Sequence, residues 1–405
     1  MDRGEQAALE LAARKLFPAL SAFTRWVLGR AGEEGISRLY FLARDGWFPF
    51  QLARRLAAAW DLPVECRYLY GSRQAWRLPL YRENHGRALD QLCGGGMVQT
   101  PGQVLARTGL SRQEQDAVGK ALGESGKKLL HPRALRETLG SCALFWKLLD
   151  NRSEKALPLL GEYFRREGLL EAVSWAVVDS GWMGSTQETL SRLLEIMRGP
   201  GKTAGFYAGL YRGPQSGTWD CFFFRPGRDL GVQAAMEPCF FEAVFAPPQG
   251  TVLGYARQEG NVVPLLGQPP EEEAPAFLGK AFQALEEELA GKSPPWDLTL
   301  QALEDRPRAW ALLRQLMTRP GREEAKALGR LPFSCGEEEP LPLAGFLTGE
   351  ELKKNTLASR LLRGKPLRES FWLPGTSALY GENPPRQFVW WDRLRWARTL
   401  AHRVR

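Results

Sequence analysis

The sequence predicts an α/β protein: a parallel sheet that carries a helical insertion and is followed by a mostly helical C-terminal region. Three observations support this. A β-α-β order is legible over residues 38–73, where two apolar runs flank a helical pattern, and parallel neighbours need a crossover helix. A second strand-turn-helix unit recurs at residues 174–194. Residues 85–170 and 261–405 show helical periodicity with little strand signal.

Along the chain, residues 5–30 read as one amphipathic helix, with Leu9, Leu16, Leu20, Phe23 and Val27 near helical spacing and Gly32 and Gly35 closing it. A buried strand is expected at 38–43, then a helix at 48–60 and a second strand, VECRYLYGSR, at 64–73. Residues 85–170, broken by Gly94, Gly95, Gly96 and Gly123, read as a helical hood over the active edge of the sheet. The sheet resumes with a strand at 174–179, a helix at 186–198 and a strand at 203–211, and the apolar segment 238–256 carries Glu242 inside an aromatic cluster. Pro269, Pro270 and the acids Glu271–Glu273 read as a linker. The expected domains are therefore an α/β domain at 1–260 and a helical one at 261–405, the latter built on residues such as Leu278, Phe282, Leu285 and Leu289.

Composition narrows the function class. With 44% hydrophobic and 25% charged residues among 405, the chain resembles an ordinary soluble globular protein. A formal net charge of +8 favours an anionic substrate or surface. The six cysteines form no CxxC pair, which argues against zinc sites and disulfide scaffolds. The three histidines lie far in sequence from both polar turns, which argues against Ser-His-Asp, Cys-His and His-metal chemistry. The opening MDRGEQAALE is too polar for a secretory signal and no apolar run reaches membrane-spanning length, so a cytoplasmic protein is expected.

The chemistry concentrates in the two turns. In the second, Val177-Val178-Asp179 ends a strand, and Ser180, Gly181, Met183, Gly184, Ser185, Thr186 and Gln187 lead into a helix. Backbone amides of 183–187 with the hydroxyls of Ser185 and Thr186 suit a phosphate monoester, and Asp179 suits the hydroxyls of an adjoining sugar. The first turn offers Arg44 as an anion partner, Asp45 as a basic or metal-facing group and Gly46 for close backbone approach. Ser72 and Arg73 follow the second strand on the same C-terminal edge, where ligands bind in open α/β sheets. Two such turns suggest a ligand with phosphate at both ends. Arg44-Asp45 also suits a buried salt bridge, and Glu242 suits either a functional acid or a capped core carboxylate. Trp47, Trp76 and Trp182 suit stacking on sugar faces or wedging between elements.

These residues resemble the type I phosphoribosyltransferases. In that family the first βα loop holds the pyrophosphate of phosphoribosyl pyrophosphate (PRPP), and a later strand ends in two acids before a Thr-Gly-x-Thr phosphate loop. Gly184 and Thr186 match that loop's Gly and final Thr, while Met183 stands in place of its first Thr. Asp179 matches the second acid and Val178 occupies the place of the first, a departure from nucleotide-synthesis enzymes.

A closer resemblance covers most of the chain. Phe41-Leu-Ala-Arg-Asp-Gly46, Tyr68-Leu-Tyr-Gly-Ser-Arg73, Val178-Asp-Ser-Gly-Trp-Met-Gly184 and the Glu242 segment through Gly254-Tyr255 are similar to a module of bacterial polysaccharide-assembly proteins. That module often follows a haloacid-dehalogenase-type phosphatase, and it is similar to enzymes that install ribofuranose in surface glycans. The resemblance implies transfer of 5-phosphoribose from PRPP to a sugar hydroxyl of a glycan or lipid-linked glycan, with inversion to a β-ribofuranoside 5-phosphate. It further implies Mg²⁺ held at Asp45, and Arg44, Gly46, Ser72 and Arg73 around the pyrophosphate. Asp45, Asp179 and Glu242 are the candidate catalytic acids, and Trp47 and Trp182 face the acceptor. A separate phosphatase and the glycosyltransferases of the same pathway are the expected partners, since this chain has no Asp-x-Asp pair of its own. Two other readings stay open: an inactive binding protein on the same fold, and a nucleobase phosphoribosyltransferase.

The C-terminus sets Trp390, Trp391 and Trp396 among Arg393, Arg395, Arg398, Arg403 and Arg405 on an expected amphipathic helix. It suits docking onto the core or peripheral contact with an anionic membrane surface, and no nucleic-acid partner is expected.

Overall fold

The computed structural model describes residues 3–94, 99–247, 249–269, 273–333, 341–345 and 371–379. The chain is α/β. Helix α1 (Arg3–Glu33) leads into strand β1 (Arg38–Leu42), helix α2 (Trp47–Ala59) and strand β2 (Glu65–Leu69). The second strand stops earlier than expected, because Ser72 caps a short helix, α3 (Arg73–Arg77). The insertion then runs through α4 (His85–Cys93), α5 (Pro101–Leu105), α6 (Arg112–Leu122), α7 (Pro132–Gly140) and the long α8 (Ala143–Arg166). Its helices start where the sequence supplies caps: Asn84 accepts from the Arg87 amide, and Thr100 and Ser111 form capping boxes with Gln103 and Glu114. Leu89, Val104, Val118, Leu135 and Phe145 give the hood an apolar core of its own.

The sheet resumes with β3 (Trp175–Trp182), α9 (Ser185–Arg198), β4 (Ala204–Leu210) and β5 (Thr218–Phe224). All five strands are parallel in the order β2-β1-β3-β4-β5. Alternate side chains serve opposite faces. Leu39, Phe41, Ala176 and Val178 pack toward α1 and α2, while Tyr40, Leu42, Trp175 and Val177 pack toward α8 and α9. The apolar segment after β5 divides into α10 (Leu230–Ala235), α11 (Pro238–Val244) and an antiparallel hairpin of β6 (Val252–Gln258) and β7 (Asn261–Leu266).

Beyond the hairpin lie α12 (Glu273–Ala290), α13 (Leu298–Thr318) and α14 (Arg322–Gly329), then the short pair β8 (Pro332–Phe333) and β9 (Leu341–Pro342), and α15 (Leu373–Leu379). Leu278, Phe282, Leu313 and Leu316 from these helices share one apolar core with Leu9, Phe41 and Phe206. The amphipathic segment 387–405 lies outside the described residues. Among the described residues no helix is long and apolar enough to cross a membrane.

Strand β3 runs through the residues expected to form a ligand loop. Gly181 pairs with Gly209 of β4, and a Cβ built on Gly181 would stand 1.9 Å from the Gly209 carbonyl oxygen. With φ at +132°, the position excludes a side chain on conformational grounds as well. Gly181→Ala is expected to destabilise the fold by roughly 2 kcal/mol or more, because the obstacle is backbone that cannot rotate away. Chemical denaturation of the purified variant measures this, and a wild-type midpoint would contradict the strand register.

Candidate functional site

Strand order reverses between β1 and β3, and in open parallel sheets ligands bind outside the carboxyl ends of the strands at such a boundary. Asp45 follows β1 and Asp179 lies in β3, so the fold sets the two acids on either side of that boundary. The Ser180 hydroxyl donates to Asp45 Oδ2 and joins the two turns directly. Glu242 approaches from α11, where Trp182 Nε1 donates to its Oε1 at 2.8 Å. Arg73 and Arg44 supply the positive charge. Both act on the Glu242 carboxylate, and Arg73 also acts on Asp179.

Asp179 and Glu242 are held largely out of water. Asp179 is only 8% exposed, and burial raises its pKa well above the ordinary aspartate value, reinforced by the charges of Asp45 and Glu242. Burial likewise pushes Glu242 up to about 7, with Asp45 adding to the shift and Trp182, Arg73 and Arg44 opposing it. A carboxyl group with a pKa near 7 is matched to proton transfer at neutral pH.

The second turn closes with Gly184 in a left-handed conformation as N-cap of α9, and no side chain caps that helix. The first-turn amides of an uncapped helix favour an anion. Arg77, which was not among the expected site residues, points its Nη2 at the Ser185 hydroxyl at 3.4 Å. Its Nε is buried without a partner among the described residues, and burial lowers its pKa, with Arg73 and Arg87 adding to the effect. A half-buried guanidinium beside an uncapped helix N-terminus favours an anion. The sequence did carry a signal for it: Arg73 and Arg77 lie one helical turn apart behind a capping Ser72.

Several expected site residues are placed otherwise. The Ser72 hydroxyl accepts from the Ala75 amide at 3.0 Å and donates to the Val252 carbonyl at 2.7 Å, so it ties α3 to the hairpin. Gln187 is fully buried. Its Nε2 donates to the Thr203 hydroxyl and the Ser216 and Thr218 carbonyls, while the Tyr207 hydroxyl donates to its Oε1 at 2.6 Å. Its side chain anchors the first turn of α9 on β4 and β5. Trp182 packs edge-on against Phe241 at 5.5 Å and orients Glu242, so its face is closed to a sugar. Trp76 is buried and donates to the Tyr255 hydroxyl at 2.8 Å, which makes it a packing wedge.

The close approach at Gly46 is to the chain itself, since a Cβ there would stand 2.4 Å from the Leu42 carbonyl oxygen. Trp47 is half-buried with its ring edge-on to Tyr68 at 5.0 Å, and the Tyr68 hydroxyl donates to the Arg44 carbonyl at 3.2 Å. Met183 is half exposed, and Ser185 and Thr186 are half-buried at the head of α9.

Among the described residues no group of three or more His, Cys, Asp or Glu side chains is arranged to hold a metal on its own. The donors that converge are all carboxylates, of the kind Mg²⁺ accepts one or two at a time together with substrate phosphates. No protein-family profile and no curated protein sequence matches the chain. The site is thus an acid cluster beside arginines and an uncapped helix N-terminus on a parallel α/β sheet.

Between the unfolded glutamate pKa and about 7, folded Glu242 holds a proton that the unfolded chain releases, so stability falls as pH rises through that window. Glu242→Gln is expected to flatten the fall and to stabilise the protein at pH 8 by on the order of 3 kcal/mol, since the amide keeps the acceptor for Trp182 without the buried charge. Denaturation curves at pH 5 and pH 8 measure the effect, and parallel pH dependences for variant and wild type would exclude it.

Proposed function

We propose that this chain is a phosphoribosyltransferase of the type I fold that transfers 5-phosphoribose from PRPP to a sugar hydroxyl in bacterial surface-polysaccharide assembly. The observation that carries the reading is the pairing of two anion-holding elements around one acid cluster. Arg44 lies in the turn after β1, and Arg73 and Arg77, one helical turn apart on α3, carry the positive charge on from the acids to the head of α9, as a donor with phosphate at both ends would need. The motif resemblance over residues 41–46, 68–73 and 178–184 supports the same assignment.

In the proposed reaction the acceptor oxygen bonds to the anomeric carbon as the bond from that carbon to the pyrophosphate oxygen breaks. Pyrophosphate leaves with the bonding pair, and the α-configured donor yields a β-ribofuranoside 5-phosphate. Glu242 takes the hydroxyl proton, a role suited to its raised pKa. Arg44 and Arg73 offset the charge that develops on the leaving group, while Arg77 and the α9 amides hold the 5-phosphate. Asp45 and Asp179 would hold Mg²⁺, which when bound supplies charge neutralisation at the pyrophosphate. Burial of the acids between β1, β3 and α11 limits competition from water.

Calorimetric titration of PRPP with Mg²⁺ tests this. Wild type is expected to bind, and Arg77→Ala and Asp179→Ala are each expected to weaken binding about tenfold or more, the value of a charge-assisted contact. A wild-type protein that takes up no donor at millimolar concentration would leave only the fold in common with such enzymes.

A further inference from the structure

A concavity lies beside the Arg77 corner. The 3₁₀ turn Leu78–Glu83, the start of α4 and one face of α9 enclose a groove of about 390 Å³. That volume lies in the roughly 300–1,000 Å³ range of small-molecule sites. Its polar lining comprises Glu83, Asn84, Arg87, Gln91 and Arg192. Arg192 stands two helical turns beyond Ser185 on α9, about 10 Å from the head of that helix. The groove therefore runs along the same helix whose head Arg77 faces.

The cations of this region influence one another. Arg73 acts both on the acids and on Arg77, and Arg77 in turn feels Arg87. Arg192 is matched by Glu83 and Glu195, at 3.1 and 2.8 Å. Arg87 has no acidic partner among the described residues; only its backbone amide is engaged, by the Asn84 side chain. Neighbouring guanidiniums repel one another, and an oxyanion relieves that repulsion. In the proposed reaction the donor phosphates account for Arg73 and Arg77. They leave Arg87 and the groove without a role.

We propose that this groove is the acceptor subsite and that it takes a carbohydrate bearing an oxyanion, either a carboxylate or a phosphate, with Arg87 as the residue that recognises the charge. Asn84 and Gln91 present amides suited to sugar hydroxyls. Naming the ligand an acceptor rests on the phosphoribosyl-transfer reading, whereas the binding itself does not.

Calorimetry with tetragalacturonate, glucose 1-phosphate, maltotetraose and tetra-aspartate, on wild type and Arg87→Ala, tests the inference. At least one anionic sugar is expected to bind about tenfold more tightly than neutral maltotetraose and to lose about tenfold in Arg87→Ala, while PRPP affinity is unchanged in that variant. The tighter of the two anionic sugars identifies the group recognised. The inference fails if neither anionic sugar binds at millimolar concentration or if Arg87→Ala binds them as wild type does. It fails equally if tetra-aspartate binds as well as the sugars, or if PRPP weakens in parallel with them. Arg87-dependent sugar binding in a protein that never takes up PRPP would uphold the groove and remove the donor.

Discussion

Three carboxylates share one desolvated corner at the β1/β3 boundary, and their mutual repulsion sets the terms for everything around them. Like charges taken out of water raise one another's proton affinity, as Asp179 and Glu242 show. The surroundings compensate with donors: the Ser180 hydroxyl on Asp45, the Trp182 indole on Glu242 and the guanidiniums of Arg44 and Arg73. None of these donors is a full ion-pair partner at the centre of the cluster, so the corner keeps an appetite for positive charge and for protons. That imbalance separates it from a structural salt bridge.

The opposite imbalance lies a few residues away. Arg77 is half-buried with its Nε unpartnered among the described residues, beside the head of a helix that no side chain caps. An acid-rich corner and a cation-rich one are held side by side. The geometry depends on rigid supports outside the site. Gln187 fastens the first turn of α9 to β4 and β5, and Ser72 and Tyr255 fasten α3 to the hairpin and to Tyr70. These supports are buried polar groups with their partners supplied, which is how a site gains precision without borrowing its own donors.

Much of the fold was legible because its signals are local. The apolar run Arg38–Leu42, the helical pattern after Trp47 and the caps at Asn84, Thr100 and Ser111 each act within a few residues. Asp45, Asp179 and Glu242 were legible as candidates because an acid at a strand end or among phenylalanines needs a reason to be there. Side-chain assignments along the two turns were less so. Gln187 and Trp182 sit within the motif, yet their partners come from β4, β5 and α11, far away in sequence.

By itself the sequence determined the alternation of strands and helices, the two polar turns and the acids within them, since periodicity, capping and turn chemistry are written in neighbouring residues. Only the tertiary structure decided which of these groups meet. The parallel register that sets β1 beside β3 joins Ser180 to Asp45, α11 brings Glu242 to Trp182, and the capped turn after β2 aims Arg77 at α9. Those contacts span up to 135 residues of chain, and nothing local specifies a partner at that distance. It is set by how the layers pack.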